Sequence, residues 1–514
     1  LRSIGPLGFP FLLLGHSHYK ILTMIQISDL VGAYGVSFVL AMVNGWFTDL
    51  LIQPILIWST ERATRLPVGS LTTLLVLLGT VIYGSTQRSN ASFEPGPKVA
   101  VVQHDFPMYV DDRAGRTASD TIFRAYLALA RKAAEQKPDL IVLPETAISG
   151  YINDEFLDAS PAYLESLREH RFPKLTKAHL EYYQQFSRRV RDGFQELSTK
   201  SGIPIVVGSS SIEWKPTEIP PRVEAFNSAF LLEPGQTKPV ARYDKIHLVL
   251  FGEYVPFRRS FRRVYEWLNA MTPWGREGIE YSLTDGKDYT VFEFNAASRN
   301  HQRYRAAVPI CYEEIMPYIT RGFVRGKGDL RDKKNIDMLL TISNDGWFLH
   351  TAELDQHLAA AVFRAVEHRI PIARSVNTGA SAQIHPNGKI HDVVALSAQD
   401  AKSLEPVTEV LRKLYVLADS LKVLIAADEK YRQTSAELAR LYQQEYRQAL
   451  DALGPEYGFF RERLDSLLIE LTPKNPKDRA KAAGVFREQI QDDLDTIARW
   501  NEKPMTAPGF IVAE

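Results

Sequence analysis

The chain has 514 residues, more than one ordinary domain holds, and so divides into two or three. Its 61 Lys+Arg balance 61 Asp+Glu, which argues against a nucleic-acid surface. Hydrophobic residues at 45% and charged residues at 24% exclude a disordered chain, and the single cysteine, Cys311, excludes an intramolecular disulfide and a Cys-rich zinc site.

Residues 1–87 carry seven charged side chains: Arg2, Lys20, Asp29, Asp49, Glu61, Arg62 and Arg65. Three uncharged runs lie between them: Ser3 to Tyr19, Leu30 to Thr48 with its continuation LLIQPILIW, and Leu66 to Gln87. A bilayer core needs roughly 20 apolar residues as helix. The second and third runs reach that length and the first is marginal, so 1–87 reads as a transmembrane helical segment. A signal peptide would start with Met and basic residues, whereas this chain starts Leu-Arg-Ser and reads as a fragment lacking upstream sequence. Arg62 and Arg65 place the loop between the last two runs in the cytoplasm. The last span then runs outward, and the chain after Arg88 begins on the outer side.

From Lys98 short apolar runs alternate with amphipathic stretches: KVAVVQHDF, TIFRAYLALARKAAEQ, DLIVLPE, IPIVVGSSS, AFNSAFLLEP, PVARYDKIHLV, YTVFEF, YRAAVPICYE and IDMLLTISND. Runs this apolar are buried on both faces, as in layered α/β folds. A domain over 98–395 follows. Between 400 and 500, Val407, Leu411, Leu414, Leu417, Leu421, Leu424 and Ile425 keep helical spacing, and Gly454-Pro455 breaks the pattern. This reads as a helical hairpin or small bundle inserted before a last strand cut short at 505–514.

Three segments place a reactive side chain at the end of an apolar strand. Glu145 ends DLIVLPE and is either a surface cap or an acid at a strand end, where α/β enzymes build sites. Lys245 in RYDKIHLVLFGEYVPFR either snorkels outward or is held by a carboxylate such as Glu253. Cys311 in YRAAVPICYEEIMP is either a small buried hydrophobe or a nucleophile leaving the core. The three fit one another: a carboxylate takes the thiol proton, and an ammonium holds the charge and stabilises an oxyanion.

The strings RYDKIHLVLFGEYVPFR, ICYEEIMP and SNDGWF…QH…R…E…R…NTG resemble the nitrilase, or carbon–nitrogen hydrolase, superfamily, and within it the bacterial apolipoprotein N-acyltransferases. GFPFLLLG and SDLVGAYGVSFVLAMVN resemble that family's last membrane helices, so the resemblance covers residues 1 to about 395. It implies a nitrilase-like αββα sandwich attached to transmembrane α-helices, with the C-terminal helical hairpin as an addition. It implies a catalytic triad of Glu145, Lys245 and Cys311, with supporting Glu253, Tyr312 and Glu313, and oxyanion donors from Lys245 and backbone N–H groups after Cys311. Ser343 to Phe348 would line the site, while His357, Arg364, Glu367 and Arg374 read as packing and ion pairs.

The implied reaction moves an acyl chain from a glycerophospholipid such as phosphatidylethanolamine, through a cysteine thioester, to the N-terminal diacylglyceryl-cysteine of an apolipoprotein. No cofactor or metal is implied. The implied location is the bacterial inner membrane, multi-pass, with the catalytic domain on the periplasmic side. Phe251 to Trp274, rich in aromatic residues and Arg, reads as a membrane-facing lid. Three departures stand out: few membrane helices, FPMYVDD without the tryptophan such a loop would carry, and the added 400–500 segment. The readings set beside this one are a membrane-anchored amidase or nitrilase and a non-catalytic membrane scaffold.

Overall fold

The computed structural model describes residues 8–60, 68–106, 115–218, 221–258, 260–272, 282–326, 334–348, 351–394, 490–500 and 509–513, with a few positions between 407 and 457. Twelve strands run in chain order: β1 Val99–Gln103, β2 Leu140–Val142, β3 Ile205–Lys215, β4 Arg222–Leu232, β5 Ala241–Asp244, β6 Val291–Ala296, β7 Gln302–Ala307, β8 Met338–Ser343, β9 Ile372–Val376, β10 Ala382–Ile384, β11 Ile390–Val393 and β12 Gly509–Ala513. They form two six-stranded mixed sheets, ordered β12-β1-β2-β3-β4-β5 and β11-β10-β9-β8-β7-β6. In each, three central strands run parallel and the outer ones antiparallel.

Residue alternation builds the layers. Along β1, Val99 and Val101 join the core shared with the second sheet, which includes Phe292, Ala306 and Leu340. Ala100 and Val102 point the other way, against Tyr126 and Phe194 of the helices Gly115–Glu135 and Lys177–Ser201. The helices Pro317–Arg325 and Glu353–His368 contribute Ile319, Phe323, Leu358 and Val362 to the core of the second sheet. The order is therefore helix, sheet, sheet, helix. Ser375 in β9 ties the sheets together, its Oγ donating to the carbonyls of Val102 at 2.8 Å and Val142 at 3.1 Å.

Two helices, Ser28–Ile52 and Gly69–Ser89, are long and apolar enough to cross a membrane. The first apolar run contains no such helix among its described residues. Leu14–His18 is a short 3-10 turn, and Phe11 and Leu13 are buried rather than facing outward. The helix Ser28–Thr60 breaks at Gly32, whose φ of 66° and ψ of −179° suit glycine. The break frees the Ala33 N–H, which donates to Glu367 at 2.9 Å. Asp29, at the start of the same helix, pairs with Arg369 at 2.6 Å and accepts the Tyr83 hydroxyl at 2.8 Å.

Most of the 400–500 segment, and with it the expected hairpin, lies outside the described residues. Its last stretch, 490–500, is helical, and the buried Trp500 donates its indole N–H to Asp105 at 2.7 Å. The strand β12 pairs antiparallel with β1, Gly509 opposite Gln103 and Ala513 opposite Val99.

Candidate active site

Strand ends from both sheets converge on one cleft. Glu145 follows β2, Lys245 follows β5, Cys311 follows β7 and Asn344 follows β8. Gly208 in β3 lets the chain carrying Glu145 pass close by. A Cβ at Gly208 would lie 2.2 Å from the Pro144 carbonyl oxygen, so a side chain there would push Glu145 out of place.

Glu145 is buried. It accepts Asn227 Nδ2 at 2.6 Å and the Asn344 backbone N–H at 2.8 Å, and it stands close enough to Cys311 for each to shift the other's protonation. Lys245 is only 1% exposed, so snorkelling is excluded. Its Nζ lies 2.8 Å from Glu253 Oε1 and 3.8 Å from Glu145 Oε1. Asn227 Nδ2 donates to Glu253 as well, at 3.0 Å, and the Val249 N–H donates to Glu253 Oε2 at 2.8 Å. Cys311 is half-buried, with a left-handed φ of 53°. Such a backbone costs about 1–3 kcal/mol in a non-glycine residue, and it turns the thiol out of the strand direction.

Burial governs the protonation states. It pushes the Glu145 carboxyl up, against the pull of Lys245. It pushes the Cys311 thiol well up, and the charge of Glu145 adds to this. Burial opposes the Lys245 charge too, but Glu253, Cys311 and Glu145 outweigh it and hold the ammonium above the usual lysine range. The cluster therefore combines a protonated thiol, a carboxyl group beside it and a fixed cation. That set can transfer a proton in step with nucleophilic attack.

Glu313 faces away from the cluster. Its oxygens accept the Tyr243 hydroxyl at 2.9 Å and the backbone N–H groups of Ile246 at 2.7 Å, His247 at 2.9 Å and Ile310 at 2.9 Å. It ties the Cys311 turn to the segment that carries Lys245. Tyr312 stacks on His247, ring centres 5.6 Å apart, and its hydroxyl donates to the Gly8 carbonyl at 2.8 Å.

Behind the cleft lies a second charged group. Arg374 pairs with Glu314 and Asp345, both at 2.9 Å, and His357 Nδ1 lies 3.0 Å from Asp345 Oδ1. Ser343 Oγ donates to the same oxygen at 2.5 Å. Burial opposes the charge on Asp345, yet His357 and Arg374 hold its carboxyl well below the usual range. Asp345, Glu353 and His357 stand close enough to share an ion, but the guanidinium of Arg374 already supplies a cation there. Arg364 and Glu367 pair at 2.8 Å, next to the break at Gly32.

Asn227, Glu314 and Gly208 escape a reading of the sequence. The one usable signal is Asn227, a polar residue in the middle of the apolar run AFNSAFLLEP. A cavity of about 440 Å³ lies beside Lys245, lined by His247, Leu248, Phe257, Arg258 and Tyr318 among others.

A family model described as carbon–nitrogen hydrolase matches residues 98–402, more than half of the chain. The chain belongs to the carbon–nitrogen hydrolase family. A second model, the apolipoprotein N-acyltransferase N-terminal domain, matches residues 1–46. Among curated relatives, the apolipoprotein N-acyltransferase of Geobacter metallireducens is 31% identical over 77% of this chain and 63% of its own length. That of Chlorobaculum tepidum is 29% identical over 73% of this chain and 62% of its own length. This carbon–nitrogen hydrolase thus spans less than two thirds of the length of these relatives. A solved carbon–nitrogen hydrolase superfamily structure from Xanthomonas campestris covers 59% of this chain and 87% of that one, at 16% identity and a TM-score of 0.34.

Proposed function

We propose that this chain is an apolipoprotein N-acyltransferase, working by a two-step transfer through Cys311. The observation that carries the reading is the meeting of Glu145, Lys245 and Cys311 in one cluster, in a chain whose relatives bear that name. In the first step Cys311 Sγ attacks the ester carbonyl of a glycerophospholipid. The C–S bond forms, the C–O bond breaks, and the thiol proton passes through Glu145 to the departing glycerol oxygen. Lysophospholipid leaves and a thioester remains. In the second step the α-amino group of a diacylglyceryl-cysteine attacks that thioester. Glu145 takes the amine proton and returns it to the sulfur as the amide forms. Lys245 and backbone N–H groups after Cys311 stabilise the oxyanion in both steps.

The acceptor competes with water only where water is scarce. Two helices of membrane length fit a lipid donor. So do the exposed Phe251, Phe257, Phe261 and Trp267, interleaved with Arg258 and Arg262, which would form a membrane-facing lid beside the cavity near Lys245. The chain would sit in a bacterial inner membrane as a multi-pass protein, its catalytic domain on the periplasmic side. The segment 400–500 would be an insertion into the catalytic domain, closed by the strand at 505–514.

The test is intact-mass spectrometry after incubation with phosphatidylethanolamine in detergent. An acyl adduct on Cys311, chased off by a diacylglyceryl-cysteine peptide and absent in Cys311→Ala, is the expected result. Ammonia release from small amides without any adduct from phospholipid would move the chain to the amidases.

A further inference from the structure

Where the membrane-length helices meet the catalytic domain lies a cavity of about 510 Å³. Its wall comes from the break at Gly32, the helix Pro317–Arg325 and the end of the helix Glu353–His368, and includes none of Glu145, Lys245 or Cys311. The polar atoms on this wall are short of partners. Arg364 is 2% exposed and gives Nη2 to Glu367, but its Nε and Nη1 have no hydrogen-bond partner among the described residues. Neither ring nitrogen of the buried His16 has one, nor does Ser28 Oγ or His368 Nε2. A buried donor left unbonded costs about 1–3 kcal/mol, more when charged. Several such donors around one space call for a ligand rich in acceptor oxygens.

The charge on the wall points the same way. Arg321 and Arg325 add two exposed guanidinium groups to Arg364. The two carboxylates there are occupied: Glu367 by Arg364 and the Ala33 N–H, Asp29 by Arg369 and the Tyr83 hydroxyl. Arginine forks suit phosphate oxygens.

Depth then narrows the source of the anion. The apolar span Ser28–Ile52 begins at this cavity. The span Gly69–Ser89 ends close by, with Tyr83 bonded to Asp29 and Arg88 to Thr23. The end of a hydrocarbon span is the level of the lipid head groups.

We propose that this cavity holds the phosphodiester of a glycerophospholipid from the leaflet facing the catalytic domain, as a resident lipid apart from the acyl donor. A free phosphate oxygen takes an Nη1 hydrogen of Arg364, while Arg321 and Arg325 close over the head group, and the acyl chains run down beside the spans. Occupancy does not depend on turnover at Cys311.

The experiment uses the full chain carrying Cys311→Ala, in detergent, so that no lipid is consumed. Native mass spectrometry and thermal unfolding are followed with dioctanoyl-phosphatidylglycerol, dioctanoylglycerol and inorganic phosphate. Saturable phosphatidylglycerol binding and a rise in Tm are expected, at least tenfold stronger than with either of the other two. The double variant Arg321→Ala/Arg325→Ala, altered at exposed positions, should bind one lipid fewer or bind it at least tenfold more weakly. Arg364→Lys, which keeps the charge but cannot hold Glu367 and the phosphate from one planar group, should do the same. Equal binding by dioctanoylglycerol would make the contact purely apolar, and equal binding by inorganic phosphate would make this an ordinary anion site. Unchanged lipid stoichiometry and affinity in both arginine variants would remove the cavity as the binding place. Any of these results overturns the proposal.

Discussion

The Lys245 ammonium lies 2.8 Å from Glu253, a full ångström closer than it lies to Glu145. Its closest ionic partner is thus Glu253, not Glu145, the proton acceptor of the proposed mechanism. Glu253 holds the cation, which in the proposed mechanism leaves Glu145 to act on the thiol. Glu253→Gln keeps an acceptor for the Val249 N–H but removes the strongest influence holding Lys245 charged. Acyl transfer should fall by about 10²-fold, and the alkaline limb of the pH–rate profile should move to lower pH. A profile that falls in height without moving would mean that Glu253 acts only by holding its loop.

Lys245→Ala removes the cation from a site where the lysine is 1% exposed. A loss of about 10²-fold or more in rate is expected, the scale of one oxyanion donor. Single-turnover measurement of the Cys311 adduct checks it. A loss under threefold would make Lys245 a structural ion.

Arg374→Met leaves Glu314 and Asp345 facing each other without their shared guanidinium. Breaking a buried ion pair from one side costs about 3–5 kcal/mol. Thermal unfolding in detergent should show a drop of several degrees. An unchanged Tm would mean that His357 alone compensates both carboxylates.

Asp105 gives a pH test. Burial pushes its carboxyl up to about 7, with the bond from Trp500 and the charge of Arg499 pulling the other way. In the unfolded chain it titrates near 4. Between about pH 4 and pH 7 the folded protein therefore holds a proton that the unfolded chain has released. Stability from this residue is greatest below that window and is lost as pH rises through it. Tm measured at pH 5 and pH 8 should fall more steeply in the native chain than in Asp105→Asn. Parallel slopes would mean that Asp105 is already ionised at pH 5 when folded.

The strand ends were legible from the residues because each chemical side chain directly follows an apolar run. Glu145, Lys245 and Cys311 all stand where such a run stops. What surrounds them was not legible, because it depends on which strands become neighbours. Asn227 bonds Glu145 across 82 positions of sequence, and Asn344 does so across 199. Arg374 reaches Glu314 across 60. Single-residue patterns carry no information on such pairs, and only a strand order supplies it. Gly208 is similar: its need for room arises from Pro144, on the adjoining strand's continuation. The bond from Trp500 to Asp105, 395 residues apart, is the extreme case.

The chain leaves the second sheet at β11 and re-enters the first at β12, against β1. Both stations are pinned by strand pairing, so whatever lies between is a detour with fixed endpoints. Lengthening such a detour is thermodynamically gentle, about 0.6 kcal/mol for each doubling. Evolution is therefore free to grow, shrink or exchange this stretch without disturbing the two sheets. The toll falls on one indole: a replacement that lacks it removes one of the bonds that hold Asp105, two residues past the end of β1.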